Sequence, residues 1–134
     1  MQQHKILVVD DDPDILDALT MILESKGYQL ITARDGIEAL AKLEAEKPDL
    51  MILDLLMPKM DGFAVYKELQ DPKWSKHKDM PILILTSVRE EASRRRYELE
   101  TGLELDVDDY VEKPISPDTL LERVSRLIKK KQRG

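Results

Sequence analysis

Five short apolar runs, separated by longer amphipathic stretches, constrain this chain more than any other feature. "KILVVD" at 5–10 is short and continuously apolar until its last residue, as a strand buried on both faces should be. Further strands are expected at 28–33 ("YQLITA"), 49–54 ("DLMILD"), 81–87 ("PILILTS") and near 107–111. Ile15, Leu19, Ile22 and Leu23 recur at helical spacing after Pro13, with Asp11 and Asp12 as cap candidates and Gly27 as the stop. A second helix turns Ile37, Leu40, Ala41 and Leu43 inward and ends before Pro48. A third is expected at 63–70 after the Asp61-Gly62 turn, and a fourth, nearly all charged, at 89–100. The last is capped by Ser116, starts at Pro117 and places Leu120, Leu121, Val124, Leu127 and Ile128 on one face. Strand–helix alternation repeated five times implies a parallel sheet with helices on both faces, joined by right-handed crossovers. At 134 residues the chain suits a single domain over 1–131, with 132–134 expected as a disordered tail or the stub of a linker.

Composition narrows the function. A net charge of −6 argues against a general nucleic-acid or membrane-surface role. With no cysteine, disulfides, thiolate catalysis and zinc–thiolate sites are excluded, and a cytoplasmic location is the expectation. No apolar segment is long enough to span a bilayer.

In open parallel sheets the functional site lies beyond the carboxyl ends of the strands, where the strand order reverses. The tips here carry a coherent set of groups. Strand one ends in Asp10, followed by Asp11 and Asp12; strand three ends in Asp54; strand four ends in Thr86 and Ser87; strand five leads to Lys113 and Pro114. A lone aspartate at a strand end is usually a helix cap or a turn residue, and Asp12 and Asp14 fit that description. Complementary groups on four tips are not explained by capping. Clustered carboxylates repel unless a cation neutralises them, and hard oxygens in an open site suit Mg²⁺ or Mn²⁺. A lysine beside them suits a phosphate, a threonine hydroxyl can donate to a phosphoryl oxygen, and a carboxylate can attack phosphorus to form an acyl phosphate.

At these residues the chain resembles the receiver domains of two-component response regulators. The resemblance runs from Lys5 to about Lys130 through "ILVVDDDPDI", "ARDGIEAL", "PDLMILDLLMPKMDG", "PILILTS" and "DDYVEKPI". It implies a flavodoxin-like, doubly wound α/β fold with five parallel strands in the order 2-1-3-4-5. It also implies Asp54 as phosphoacceptor, with Mg²⁺ held by Asp10, Asp11, Asp54 and the backbone carbonyl of Leu56. Lys113 would pair with the phosphoryl group or with Asp54. Thr86 and Tyr110 would form the switch, and the Lys113–Pro114 bond would be cis. The implied phosphodonor is a phosphohistidine on a sensor histidine kinase or a phosphotransfer protein. The implied output is a downstream protein effector, with dimerisation on activation as a family habit.

Some positions depart from the pattern. "LELDVDD" before Tyr110 adds acid and length where many receivers have a shorter turn of small residues. Leu56 and Val88 stand two residues past Asp54 and Thr86, positions that in the family influence hydrolysis of the acyl phosphate; neither can orient a water, so slow autodephosphorylation is expected. The bland alternative is that both simply pack. In "DPKWSKHKDM", Trp74 reads as a loop anchor, and neither His77 nor His4 has neighbours at metal-ligand spacing. Arg94, Arg95 and Arg96 suit either an acidic partner or a solvated helix face. The expected function is a phosphorylation switch that acts on itself rather than an enzyme turning over external substrate. A Mg²⁺-dependent aspartyl-phosphate phosphatase would want a second acid where Leu56 stands, and a pseudo-receiver would not need the intact acidic cluster.

Overall fold

The computed structural model of the chain describes residues 3–102 and 107–133, without the side chains of 88–90 and 131–133. Its elements run β1 (Lys5–Val9), α1 (Pro13–Glu24), β2 (Gln29–Ala33), α2 (Gly36–Glu46), β3 (Leu50–Asp54), α3 (Gly62–Leu69), a 3-10 turn (Pro72–His77), β4 (Ile82–Thr86), α4 (Val88–Thr101), β5 (Asp109–Glu112) and α5 (Pro117–Arg133). All strand pairs are parallel and their order is β2-β1-β3-β4-β5, the order expected. The chain reverses its direction of travel across the sheet after β2, so the switch point falls between β1 and β3.

Successive strand side chains point to opposite faces, and the apolar runs supply both. Ile6, Val8, Ile52, Leu83 and Leu85 pack with Leu19, Val124 and Leu127 against α1 and α5. Leu7, Val9, Met51, Leu53 and Ile84 pack with Leu43, Phe63 and Val65 against α2 and α3. β3 is buried at all five positions, which leaves its final carboxylate no freedom to leave the cleft.

The helix starts are set by aspartates. Asp12 accepts from the amide of Asp14, Asp35 from Glu38 and Asp61 from Ala64, each about one turn into its helix. Of the two cap candidates for α1, Asp11 and Asp12, it is Asp12 that caps. Several element bounds differ from expectation by a residue or two, β5 for one running Asp109–Glu112 rather than near 107–111. α3 begins at Gly62 because Asp61, rather than the turn as a whole, is the cap. The 71–80 segment holds a 3-10 turn, nucleated by Asp71 accepting from Lys73 ahead of Pro72. Trp74 anchors that turn, half-buried against the second core with Nε1 donating to Glu68 at 3.0 Å. The acidic connection expected before Tyr110 falls largely on 103–106, outside the described residues. Among the described residues no helix is long and apolar enough to cross a membrane.

Candidate functional site

β1 and β3 are neighbours, with Val9 opposite Leu53, so Asp10 and Asp54 emerge side by side. On the other flank Asp54 pairs with Leu85, and Thr86 pairs with Glu112, which places Thr86 and Lys113 at adjoining tips. The amide of Lys113 donates to the Thr86 carbonyl at 2.7 Å and closes that corner. The Lys113–Pro114 peptide is cis.

Asp10, Asp54 and Thr86 are three of the few buried polar side chains among the described residues, at 1%, 2% and 5% exposure. Asp11 is exposed beside them. One oxygen from each of Asp10, Asp11 and Asp54 lies within 4.8 Å of the others. Lys113 Nζ is 3.4 Å from Asp54 Oδ1, to which it donates, and 3.4 Å from Asp10 Oδ2. Asp10 Oδ1 accepts from the Asp12 amide at 3.0 Å, while buried Oδ2 accepts no hydrogen bond among the described residues. Burial pushes the Asp10 carboxyl up to about 6 from an ordinary 3.8, with the Asp54 charge adding to the rise and the Asp12 amide and Lys113 opposing it. These groups line an open cleft of about 690 Å³ together with Leu56, Pro58 and Ser87.

That geometry tests whether a cation belongs here. Two buried carboxylates share one ammonium, and one of their oxygens lacks a hydrogen bond. The donor set is all oxygen, with no soft ligand. A hard divalent ion that keeps part of its water shell fits these residues. Neither histidine joins the group.

Not every expected residue lines the cleft. Thr86 is turned aside: its hydroxyl donates to the Ser87 carbonyl at 3.3 Å, and it borders a smaller cavity of about 290 Å³ with Glu91, Ala92 and Arg95. Tyr110 lies half-buried against the second core, away from the carboxylates. Burial holds its hydroxyl above the usual pKa, against the pull of Arg94. Leu56 is half-buried, packing on that core while also facing the cleft, so packing and exclusion of water are compatible roles for it. The side chain of Val88 lies outside the described residues.

Two features were missed at the level of sequence. The first is Gly62, where a Cβ would stand 2.4 Å from the Asp54 carbonyl oxygen and 2.9 Å from Leu55 Cα. The "DG" step was legible as a turn, but the close approach to the β3 tip was not. The second is Arg94, which leaves the surface set of three arginines and lies over Tyr110.

A parallel five-stranded sheet in the order β2-β1-β3-β4-β5, with its acidic cleft at the switch point, is the doubly wound, flavodoxin-like class of α/β domain. Within that class the chain belongs to the response regulator receiver domains of two-component systems, whose family model matches residues 6–125. It is 45% identical over 128 residues to the Bacillus subtilis alkaline phosphatase synthesis transcriptional regulatory protein PhoP, covering 96% of this chain and 50% of that protein. It is 42% identical over 130 residues to the probable transcriptional regulator ycf27 of Porphyridium aerugineum, covering 97% and 50%. The chain thus spans about half the length of these curated relatives. Among solved structures, a putative response regulator from Chloroflexus aurantiacus superposes with a TM-score of 0.80 at 32% identity, covering 96% of this chain and 99% of that one. The chemotaxis response regulator CheY4 of Vibrio cholerae gives 0.79 at 32%, covering 94% and 99%.

Proposed function

We propose that this receiver takes a phosphoryl group onto Asp54 from a phosphohistidine of a sensor kinase or phosphotransfer protein, and that the modification changes a partner-binding face. The observation that carries the proposal is the placement of Asp54: buried at the β3 tip, bonded to Lys113 and open to the cleft on its other side. In the transfer an Asp54 carboxylate oxygen attacks phosphorus, the N–P bond breaks and an acyl phosphate forms. The departing imidazole keeps the bonding pair and is protonated. Lys113 moves its hydrogen bond from the carboxylate to a phosphoryl oxygen. Asp10, Asp11, Asp54 and the Leu56 carbonyl are the residues that would hold Mg²⁺, which when bound offsets the charge on the transferring group.

The modification adds about 1.5 to 2 negative charges at a site already rich in carboxylate. Thr86 is the hydroxyl donor at the tip of the neighbouring strand β4. Its present bond, a 3.3 Å contact with the adjacent carbonyl, is weak enough to be exchanged for a phosphoryl oxygen. That movement opens room that Tyr110 fills, and α4 follows. The chain acts on itself, and the aspartyl phosphate is its product rather than a turnover intermediate. Its partners are a histidine-bearing phosphodonor and a downstream effector. Relatives of about twice this length are named as transcriptional regulators, which supports an effector acting on transcription.

Acetyl phosphate with Mg²⁺, followed by intact mass measurement, tests this. A stoichiometric, hydroxylamine-labile gain of one phosphoryl group, absent from Asp54→Ala, is expected. Continuous phosphate release without accumulation would mean an aspartyl-phosphate phosphatase. No reaction at all would mean a binding module of pseudo-receiver type.

A further inference from the structure

α4 is a poor candidate for apolar anchoring. Its sequence "VREEASRRRYELET" is mostly charged, and Leu99, its largest aliphatic described here, is 86% exposed. Among the described residues, Tyr97 and Arg94 are side chains of α4 that reach other elements. Tyr97 stacks on Phe63 of α3, with ring centroids 4.6 Å apart and planes inclined by 25°. Arg94 reaches β5: its guanidinium carbon stands 4.9 Å from the Tyr110 ring centroid, and Nη1 donates to the Tyr110 hydroxyl at 3.3 Å. One side chain therefore grips both the face and the tip of the ring.

Arg94 is itself held in place. Nη2 and Nε donate to Glu91 one turn earlier, and Glu98 lies 3.7 Å away one turn later. Its side chain is 23% exposed, while that of the adjacent Arg95 is 75% exposed. Partial removal from water strengthens attraction between a guanidinium and an aromatic face. Two acids fix the cation, and the cation fixes the ring.

We propose that Arg94 is a positioning residue, a latch that keeps Tyr110 and α4 in the arrangement seen here and so sets how readily the Asp54 site can switch the α4–β5 face. This rests on the switch reading above. Inward movement of Tyr110 must break both contacts with Arg94. Their loss favours the switched arrangement before any phosphate arrives, because a conformational equilibrium responds to whatever stabilises only one of its states.

The competing explanation is that Arg94 only staples α4 through Glu91 and Glu98. A double-mutant cycle read by hydrogen exchange of α4 amides in the unphosphorylated protein separates the two. Arg94→Met keeps helix propensity and removes the charge. It should speed α4 exchange about tenfold in the wild-type background, the scale of one partly desolvated cation–π contact. In a Tyr110→Ala background it should add only the smaller acceleration that loss of the Glu91 and Glu98 pairs brings. Equal acceleration in both backgrounds overturns the latch. Tyr110→Phe, which loses only the hydroxyl contact, should fall between, and it keeps the comparison open if Arg94→Met fails to fold.

A second measurement reads function. Arg94→Met should be phosphorylated by acetyl phosphate and Mg²⁺ several-fold faster than the wild type; a rate equal to or below wild type overturns the latch. If the wild type itself takes no phosphate at Asp54, the switch reading falls, and the exchange cycle still decides whether Arg94 holds Tyr110.

Discussion

Lys113 Nζ stands 3.4 Å from Asp54 Oδ1 and equally far from Asp10 Oδ2, so one ammonium serves two buried carboxylates. Charge is not balanced among these three. Replacing Lys113 with Met should destabilise the metal-free protein by about 2 kcal/mol. That is below the full cost of a buried unpaired charge, because Asp10, already pushed up to about 6, can take a proton. Asp10→Asn in the same buffer should be more stable than the wild type, since it removes a carboxylate that burial disfavours. Mg²⁺ should raise wild-type stability and leave Asp10→Asn nearly unmoved. Urea unfolding in EDTA and in Mg²⁺ checks all three, and equal midpoints for Lys113→Met and wild type in EDTA would contradict the reasoning.

Gly62 and Gly27 should respond differently to the same substitution. A Cβ on Gly62 meets the Asp54 carbonyl oxygen at 2.4 Å and Leu55 Cα at 2.9 Å, both backbone atoms that cannot rotate away. Gly62→Ala must therefore shift the strand tip that carries Asp54, costing about 1–3 kcal/mol and slowing phosphorylation at least tenfold. Gly27 has φ +86 and open space around it, so Gly27→Ala should cost about 1 kcal/mol of backbone strain. Its phosphorylation rate should be unchanged. Acetyl phosphate kinetics beside thermal unfolding distinguishes the two.

Asp10, Asp54, Thr86 and Lys113 were legible because each closes or follows an apolar run, and a parallel sheet brings such ends together. Orientation within a helix was less legible. Arg94, Arg95 and Arg96 are chemically alike, but consecutive helical residues point about 100° apart, so only some can meet the body. Which one does depends on how α4 sits on β5. The Thr86 hydroxyl was hidden for a similar reason, since its bond to the Ser87 carbonyl is a rotamer choice. Pairing of Asp109 with Arg123 and Arg126, 14 and 17 residues away, needed the β5–α5 turn to be known.

Leu56 borders the cleft next to Asp54 and offers no group to hold an attacking water. The aspartyl phosphate should therefore outlast a minute in Mg²⁺ buffer. Leu56→Asn, which places an amide at the same position, should shorten its lifetime about tenfold or more, in keeping with the typical contribution of a positioned polar group. The decay of the phosphorylated mass with time gives both values. A wild-type lifetime of seconds would show that packing at Leu56 does not limit hydrolysis.

Asp109 ties β5 to α5. Arg123 Nη1 donates to Oδ1 at 2.8 Å and to Oδ2 at 2.9 Å, and Arg126 Nη2 donates to Oδ2 at 2.7 Å. Burial alone would push the Asp109 carboxyl up, but these bonds, with the Tyr110 amide, outweigh it and hold the group below its ordinary 3.8. A depressed folded-state pKa means that the contribution is fully present above about pH 4, the ordinary range of an unfolded aspartate, and is lost as pH falls through the folded value. At pH 7 Asp109→Asn should be less stable than the wild type by about 1–2 kcal/mol, toward the low end for charged hydrogen bonds because Arg126 is more than half exposed. The gap should stay constant from pH 7 to about 5 and close below about 4. Urea midpoints across that series measure it. A gap that widened in acid would mean that Asp109 is held protonated rather than ionised.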